Sequence, residues 1–369
     1  MKRLTKLVMS SYIVFASALC SGCGGSAVST PALPDYPVTG GVSAPFAGCI
    51  GERLIVSGGC NFPDIPAAEG GKKVFYADTY GLRLSNPGAQ WMPLTPLETP
   101  TAYGAGVQVP YGLVCAGGQN DRSSLSTAFL LQWDESARQL VTSALPSLPV
   151  TIDNAGGAYT GGKVIVTGGN QTDRGQGVFA LDLNRPDGWQ RLCDYPGPRR
   201  VQPIVLADEQ ALYLIGGFDA MQQEGTSELS TNVLRYDLGS GEWTEETQLP
   251  LDAEGVPRCL VGGSGVYADG CLILAGGVNH DIFRQAVEGK APKDYLKKPR
   301  EWYKFNRDVL VYHLQERRWT THPLPAGTDK AGGVLVRRGN TLYMVCGETK
   351  PGIRTQEVFS FSLKEIIHP

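Results

Sequence analysis

"VIVTGG", Val164–Gly169, is a run of four β-favouring residues closed by two glycines, and the same phrase recurs along the chain. "LIVSGG" ends at Gly59, "LVCAGG" at Gly118, "LYLIGG" at Gly217, "LILAGG" at Gly277 and "LYMVCG" at Gly347. Together with Gly169, these six ends stand 59, 51, 48, 60 and 70 residues apart. An apolar run of this length reads as a buried strand, and its closing glycines mark a backbone turn that a Cβ would hinder. One such unit cannot cover both of its faces, so the copies must stack on one another. Glycine at 47 of 369 residues, with an apolar fraction of 42%, fits many turns around short strands and an ample core.

After most glycine pairs come a polar loop, a second strand and often a tryptophan. Examples are "VFALDL" followed by Trp189, "VLRYDL" by Trp243, "VLVYHL" by Trp319, and "AFLLQW" containing Trp133. Aromatic residues at this recurrence are expected to pack between repeats. The pattern resembles the kelch family, which implies an all-β, six-bladed propeller of four-stranded antiparallel blades. Residues 36–369 then form one domain. The sixth copy runs out of chain after "EVFSFSL", and Tyr36–Gly40 is expected to supply its outermost strand.

The formal net charge of −3 gives no basic field for phosphate backbones, so nucleic acid is not an expected partner. Basic residues gather at Arg199 and Arg200 and between Arg284 and Arg300, with Lys290, Lys293, Lys297 and Lys298, and read as solvated loops. Lys2, Arg3 and Lys6 precede an apolar stretch from Leu7 to Leu19 that is too short to span a bilayer, the pattern of a secretory leader over residues 1–22. Ser21 and Gly22 before Cys23 resemble a bacterial lipoprotein cleavage site, with Cys20 in place of the usual leucine. A lipid on Cys23 is the expected membrane contact, residues 23–35 a flexible tether, and the periplasm or cell surface the expected location. Seven cysteines follow Cys23 without C-x-x-C spacing. Cys49, Cys115, Cys271 and Cys346 read as core thiols.

The loops after the glycine pairs occupy the same place in every blade and must emerge on one face. They run over residues 61–73, 119–126, 170–176, 218–230, 278–306 and 348–354. Convergent loops on a rigid frame are where a site is expected, and Asn61 opens the first of them.

The sixth loop breaks the rule of its siblings as "CGETKPGIRT", Cys346–Thr355. With "GGVNHDIF" at 276–283 and "FNRDVLVY" at 305–312, it resembles the bacterial N-acetylneuraminate epimerases, or sialic acid mutarotases, in a cyclically permuted order of blades. The resemblance implies a catalytic pair at Glu348 and Arg354, with lesser matches at Arg199 in "PGPRR" and Asn279 in "GGVN". Arg258 lies in "VPRCLVGG", where the family pattern is less cleanly kept. Changing the anomer of a free sugar opens the ring by taking a proton from the anomeric hydroxyl and giving one to the ring oxygen. That chemistry needs an acid/base group such as Glu348, and neither metal nor nucleotide. The carboxylate of a sialic acid suits the planar fork of Arg354 or Arg199.

Pro351 and Gly352 are favoured central residues of a type II turn. A strict two-residue hairpin would pair Glu348 with Thr355 and turn it from Arg354, so contact between the pair is left open. Copper-radical chemistry on a propeller would need imidazole ligands, and His280, His313, His322 and His368 are too scattered, so no metal is expected. The alternative is a non-enzymatic surface lipoprotein that binds glycans or protein. Self-association is left open.

Overall fold

The computed structural model describes residues 33–220, 226–324 and 329–367. The expected leader, Cys23 and the tether before Leu33 lie outside them, as does His368. Each glycine-closed run forms the second strand of a sheet, as in Arg53–Ser57, Lys163–Gln171 and Cys271–Gly276. A strand precedes each one: Phe46–Ile50, Ala105–Val109, Ile152–Thr160, Ile204–Ala207, Gly263–Ala268 and Val334–Arg338. Antiparallel pairing in chain order gives five four-stranded blades and a three-stranded sixth. The first strands of successive blades abut all the way round, with Phe46–Ile50 against Val334–Arg338. They therefore line a hub, and the ring closes as a six-bladed propeller.

Apolar side chains fill the wedges between blades. Phe46, Ile55, Leu113 and Leu131 join blades one and two, and Val107, Val114, Val164 and Val166 join two and three. Ile204, Tyr213, Leu272 and Leu310 do the same for blades four and five. The tryptophans hold neighbouring blades together as expected: Trp189 Nε1 donates to Pro146 O at 2.7 Å and Trp319 Nε1 to Gln248 O at 2.9 Å.

The cysteine in the sixth copy has a backbone explanation. Cys346 takes φ 52°, a left-handed conformation that a side chain can hold at modest strain. Gly347 takes φ 98°, and a Cβ there would lie 2.8 Å from the backbone nitrogen of Gly333. In this copy only the second position demands glycine.

The expected outer strand at Tyr36–Gly40 does not form: the segment is coil, bend and turn, and among the described residues the sixth blade has three strands. Its backbone still docks there, with Tyr36 N donating to Gln356 O at 2.8 Å and Gln356 Nε2 to Tyr36 O at 2.7 Å. Trp91 Nε1 donates to Pro34 O at 2.9 Å, the bond that Trp189 and Trp319 make to the preceding blade. Tyr36 is fully buried against Tyr80 and Trp91. A helix over Leu363–Ile367 packs Leu363, Ile366 and Ile367 into the wedge between blades five and six. Ring closure thus rests on buried side chains and isolated hydrogen bonds rather than on a strand.

Candidate functional site

Each inner strand runs antiparallel to the glycine-closed strand, so the residue ahead of it lies at the loop face. Those residues are Ala44, Tyr103, Gln202, Gly262 and Gly332, with Asn154, unpaired near the start of Ile152–Thr160, in the same place in blade three; all have left-handed φ. Five of the six steps around the hub are bridged by a backbone hydrogen bond. Ala44 N donates to Gly332 O, Tyr103 N to Ala44 O, Asn154 N to Tyr103 O, Gln202 N to Asn154 O, and Gly332 N to Gly262 O, at 2.6–3.0 Å. This ring frames a cavity of about 1010 Å³ that follows the hub and reaches Tyr103, Phe218, Phe283 and Glu348.

Glu348 and Arg354 stand opposite each other in the sixth loop, on the hairpin of Glu348–Lys350 and Ile353–Arg354. The turn at Pro351 and Gly352 forms as the sequence reads, with Gly352 at φ 84°. A register shift then moves Thr349 out of the ladder, so Glu348 pairs with Arg354 while Lys350 pairs with Ile353. Strict pairing of Glu348 with Thr355 is overturned by this bulge, which gives one strand an extra residue. The side chains meet at 2.7 Å between Arg354 Nη1 and Glu348 Oε2. Gly352 N also donates to Glu348 Oε2 at 3.3 Å.

Arg354 is buried, with its Cζ 5.0 Å from the centre of the Phe62 ring. Among the described residues its Nε and Nη1 have no acceptor in hydrogen-bond geometry, so the contact with Glu348 is an ion pair rather than a directed fork. Burial pushes the Glu348 carboxyl above its ordinary range, against the pull of Arg354, the Gly352 N–H and Lys73. The side chain nevertheless keeps 23% of its surface exposed, through the hub cavity. A carboxyl of raised pKa with an open face suits proton transfer.

Tyr103 completes the cluster and is not flagged by the sequence reading. Lys73 Nζ donates to its Oη at 3.1 Å, and the Cys60 thiol donates to it at 3.3 Å. Burial holds the phenol above its usual range, so it keeps its proton. Among the six hub-ring positions Tyr103 is the lone aromatic. Lining up the six blade starts would have singled it out.

The remaining candidates sit elsewhere on the same face. Arg199 is buried against Asp219 at 3.5 Å, where Arg174 also approaches at 3.6 Å. Arg258 pairs with Asp308. Asn61 Nδ2 donates to Gly41 O at 2.8 Å and pins the N-terminal segment. None of these three lines the cavities at Glu348, and Arg354 meets them only through its contact with Glu348. Asn279 lines one of them, but its side chain caps the helix His280–Val287 by accepting from Ile282 N at 3.1 Å. Among the described residues no three His, Cys, Asp or Glu side chains are grouped as metal ligands.

A family model described as N-acetylneuraminate epimerase matches residues 145–367, more than half of the chain. The N-acetylneuraminate epimerase of Haemophilus influenzae strain PittEE is 31% identical over 249 residues, covering 64% of this chain and 63% of that protein. The one from Salmonella typhi is 27% identical over 229 residues, covering 59% of this chain and 58% of its own. The chain thus matches less than two thirds of these relatives' length. A solved structure described as "Structure of YjhT" has a TM-score of 0.62 at 15% identity, covering 89% of this chain and 97% of that one. That is a likeness of fold.

Proposed function

The chain belongs to the N-acetylneuraminate epimerase family, and we propose that it interconverts the α and β anomers of N-acetylneuraminate. The observation that carries the reading is the Glu348–Arg354 ion pair, in which Glu348 lines the hub cavity and Arg354, buried behind it, has Nε and Nη1 without acceptors among the described residues. A buried guanidinium with spare donors is the partner a carboxylate lacks in water-poor surroundings, and the anomeric carbon of a sialic acid bears one. Arg354 then holds the sugar acid with its anomeric centre beside Glu348.

Glu348 takes the proton from the anomeric hydroxyl as the bond from the anomeric carbon to the ring oxygen breaks. The freed ring oxygen receives a proton from Tyr103, whose oxygen already accepts from Lys73. The open-chain keto acid rotates about the bond next to its carbonyl. The same hydroxyl then attacks the other face and returns its proton to Tyr103, while Glu348 reprotonates the new anomeric hydroxyl. The permuted order of blades also remains part of the proposal and rests on where the motif Cys346–Thr355 falls along this chain. Export and a lipid on Cys23 remain part of the proposal and rest on Lys2, Arg3, Lys6 and the apolar stretch after them.

Exchange NMR of N-acetylneuraminate anomers tests this directly. At micromolar protein, exchange far above the spontaneous rate is expected. An unchanged rate, with the sugar still bound, would replace the enzyme with a glycan-binding protein.

A further inference from the structure

We propose that a second, apolar pocket beside Glu348 is the subsite for the N-acyl substituent of the sugar, an assignment that rests on the anomer-exchange reading above. The insertion in blade five carries the helix His280–Val287 and two short 3-10 turns, Tyr295–Lys297 and Arg300–Tyr303. It seals a core of its own, in which Tyr303, Phe305 and Val278 pack on Leu229, Cys259 and Val261. The helix buries none of its residues completely. Ile282, Phe283, Ala286 and Val287 instead face a cavity of about 280 Å³, closed by Tyr295 and Phe305.

Glu348 is the one ionisable carboxyl on that wall, and with Val278, Phe283 and Val287 it also lines the hub cavity. The two spaces therefore meet at the proposed acid/base group. A sugar placed with its anomeric centre at Glu348 must direct one substituent into the apolar side. N-Acetylneuraminate carries a carboxylate, hydroxyls and a polyol tail, and only its acyl group ends in hydrocarbon. Concave apolar walls with a few polar groups at one edge are what such a group selects. A water molecule occupies about 30 Å³ of liquid, so the pocket exceeds an acetyl methyl several-fold and has room for a longer chain.

The test compares anomer exchange with N-acetyl-, N-propanoyl- and N-butanoylneuraminate and with the nonulosonic acid that has a hydroxyl in place of the acylamido group. KM is expected to fall about fourfold for each added methylene in the unaltered protein. Ala286→Phe, which fills the pocket from the helix, is expected to lower the preference for acylated over hydroxyl sugar at least tenfold in kcat/KM. A KM that rises with every methylene, or a preference unchanged in the variant, overturns the subsite. Saturation-transfer NMR on the same sugars separates this from the parent reading, because it needs no turnover. Strongest transfer to the acyl methyl supports the pocket, and transfer no stronger than to ring protons overturns it whatever the exchange rate shows.

Discussion

Glu348 Oε2 lies 2.7 Å from Arg354 Nη1 because one residue, Thr349, is squeezed out of a two-strand hairpin. Without the bulge the two side chains would sit on opposite faces of the ladder. The bulge converts a surface turn into a charged pair at the hub, and the proposed chemistry depends on it.

Glu348→Gln keeps the shape of the side chain and removes its base. Exchange is expected to fall about 10²- to 10⁴-fold, the range for losing a positioned acid/base group. The fold should persist at a lower melting temperature, because buried Arg354 loses its charge partner. Full activity in this variant removes Glu348 from the mechanism.

Arg354 sets the pH at which that base works. Only ionised Glu348 takes a proton, so kcat/KM rises with pH through its pKa, and burial places that limb above the ordinary 4.5. Arg354 pulls the pKa down, so Arg354→Met should move the limb to higher pH while raising KM for the sugar acid. A limb that stays put or moves down would show that the pair does not tune the carboxyl.

The turn at Gly352 offers a check on the geometry itself. Its φ is 84°, and a Cβ there would lie 2.7 Å from the Cβ of Ala67 in the first loop. Gly352→Ala is expected to cost about 1–2 kcal/mol of stability. Displacing the pair by an ångström would slow exchange on the order of 10²-fold. Denaturant unfolding and exchange NMR on one sample measure both, and undiminished exchange would show that this turn does not position the pair.

Closure of the ring can be probed at Tyr36, whose buried hydroxyl has no partner among the described residues. Tyr36→Phe removes an unsatisfied polar atom and should be neutral or stabilising. Tyr36→Ala empties the space against Tyr80 and Trp91 and should cost about 3–5 kcal/mol. Equal losses in the two variants would mean that the hydroxyl, not the ring, holds the N-terminal segment.

Lys330 gives a stability signature of opposite sense to most lysine pairs. It is buried, donates to Glu357 O at 3.1 Å, and its pKa falls from 10.5 to about 8 through burial. The unfolded chain therefore binds more protons between pH 8 and 10.5, and this group adds stability as pH rises through that window. Below pH 8 the folded protein carries the whole penalty, about 3 kcal/mol at most. Lys330→Met should thus be more favourable relative to the unaltered protein at pH 7 than at pH 10, by chemical denaturation. No pH dependence in that difference would show the ammonium to be well solvated.

Sequence by itself determined the number of blades, the strand that each glycine-closed run would form, and the face on which the loops emerge. These follow from local rules: a short apolar run sets the buried strand, and a left-handed turn demands glycine at its second position. Through the family resemblance it also named Glu348 and Arg354 as a pair. Tertiary structure alone decided that they touch, since a bulge leaves no mark in a turn already satisfied by Pro351 and Gly352. It alone brought Tyr103 from blade two and Lys73 from blade one to the same place, because proximity across a ring depends on closure rather than on sequence separation. Arg199, Arg258 and Asn61 show the converse, being taken up by Asp219, Asp308 and the backbone of Gly41. The missing outer strand belongs there too: Tyr36 docks by its ring, and the docking of an aromatic side chain follows no periodicity that a sequence displays.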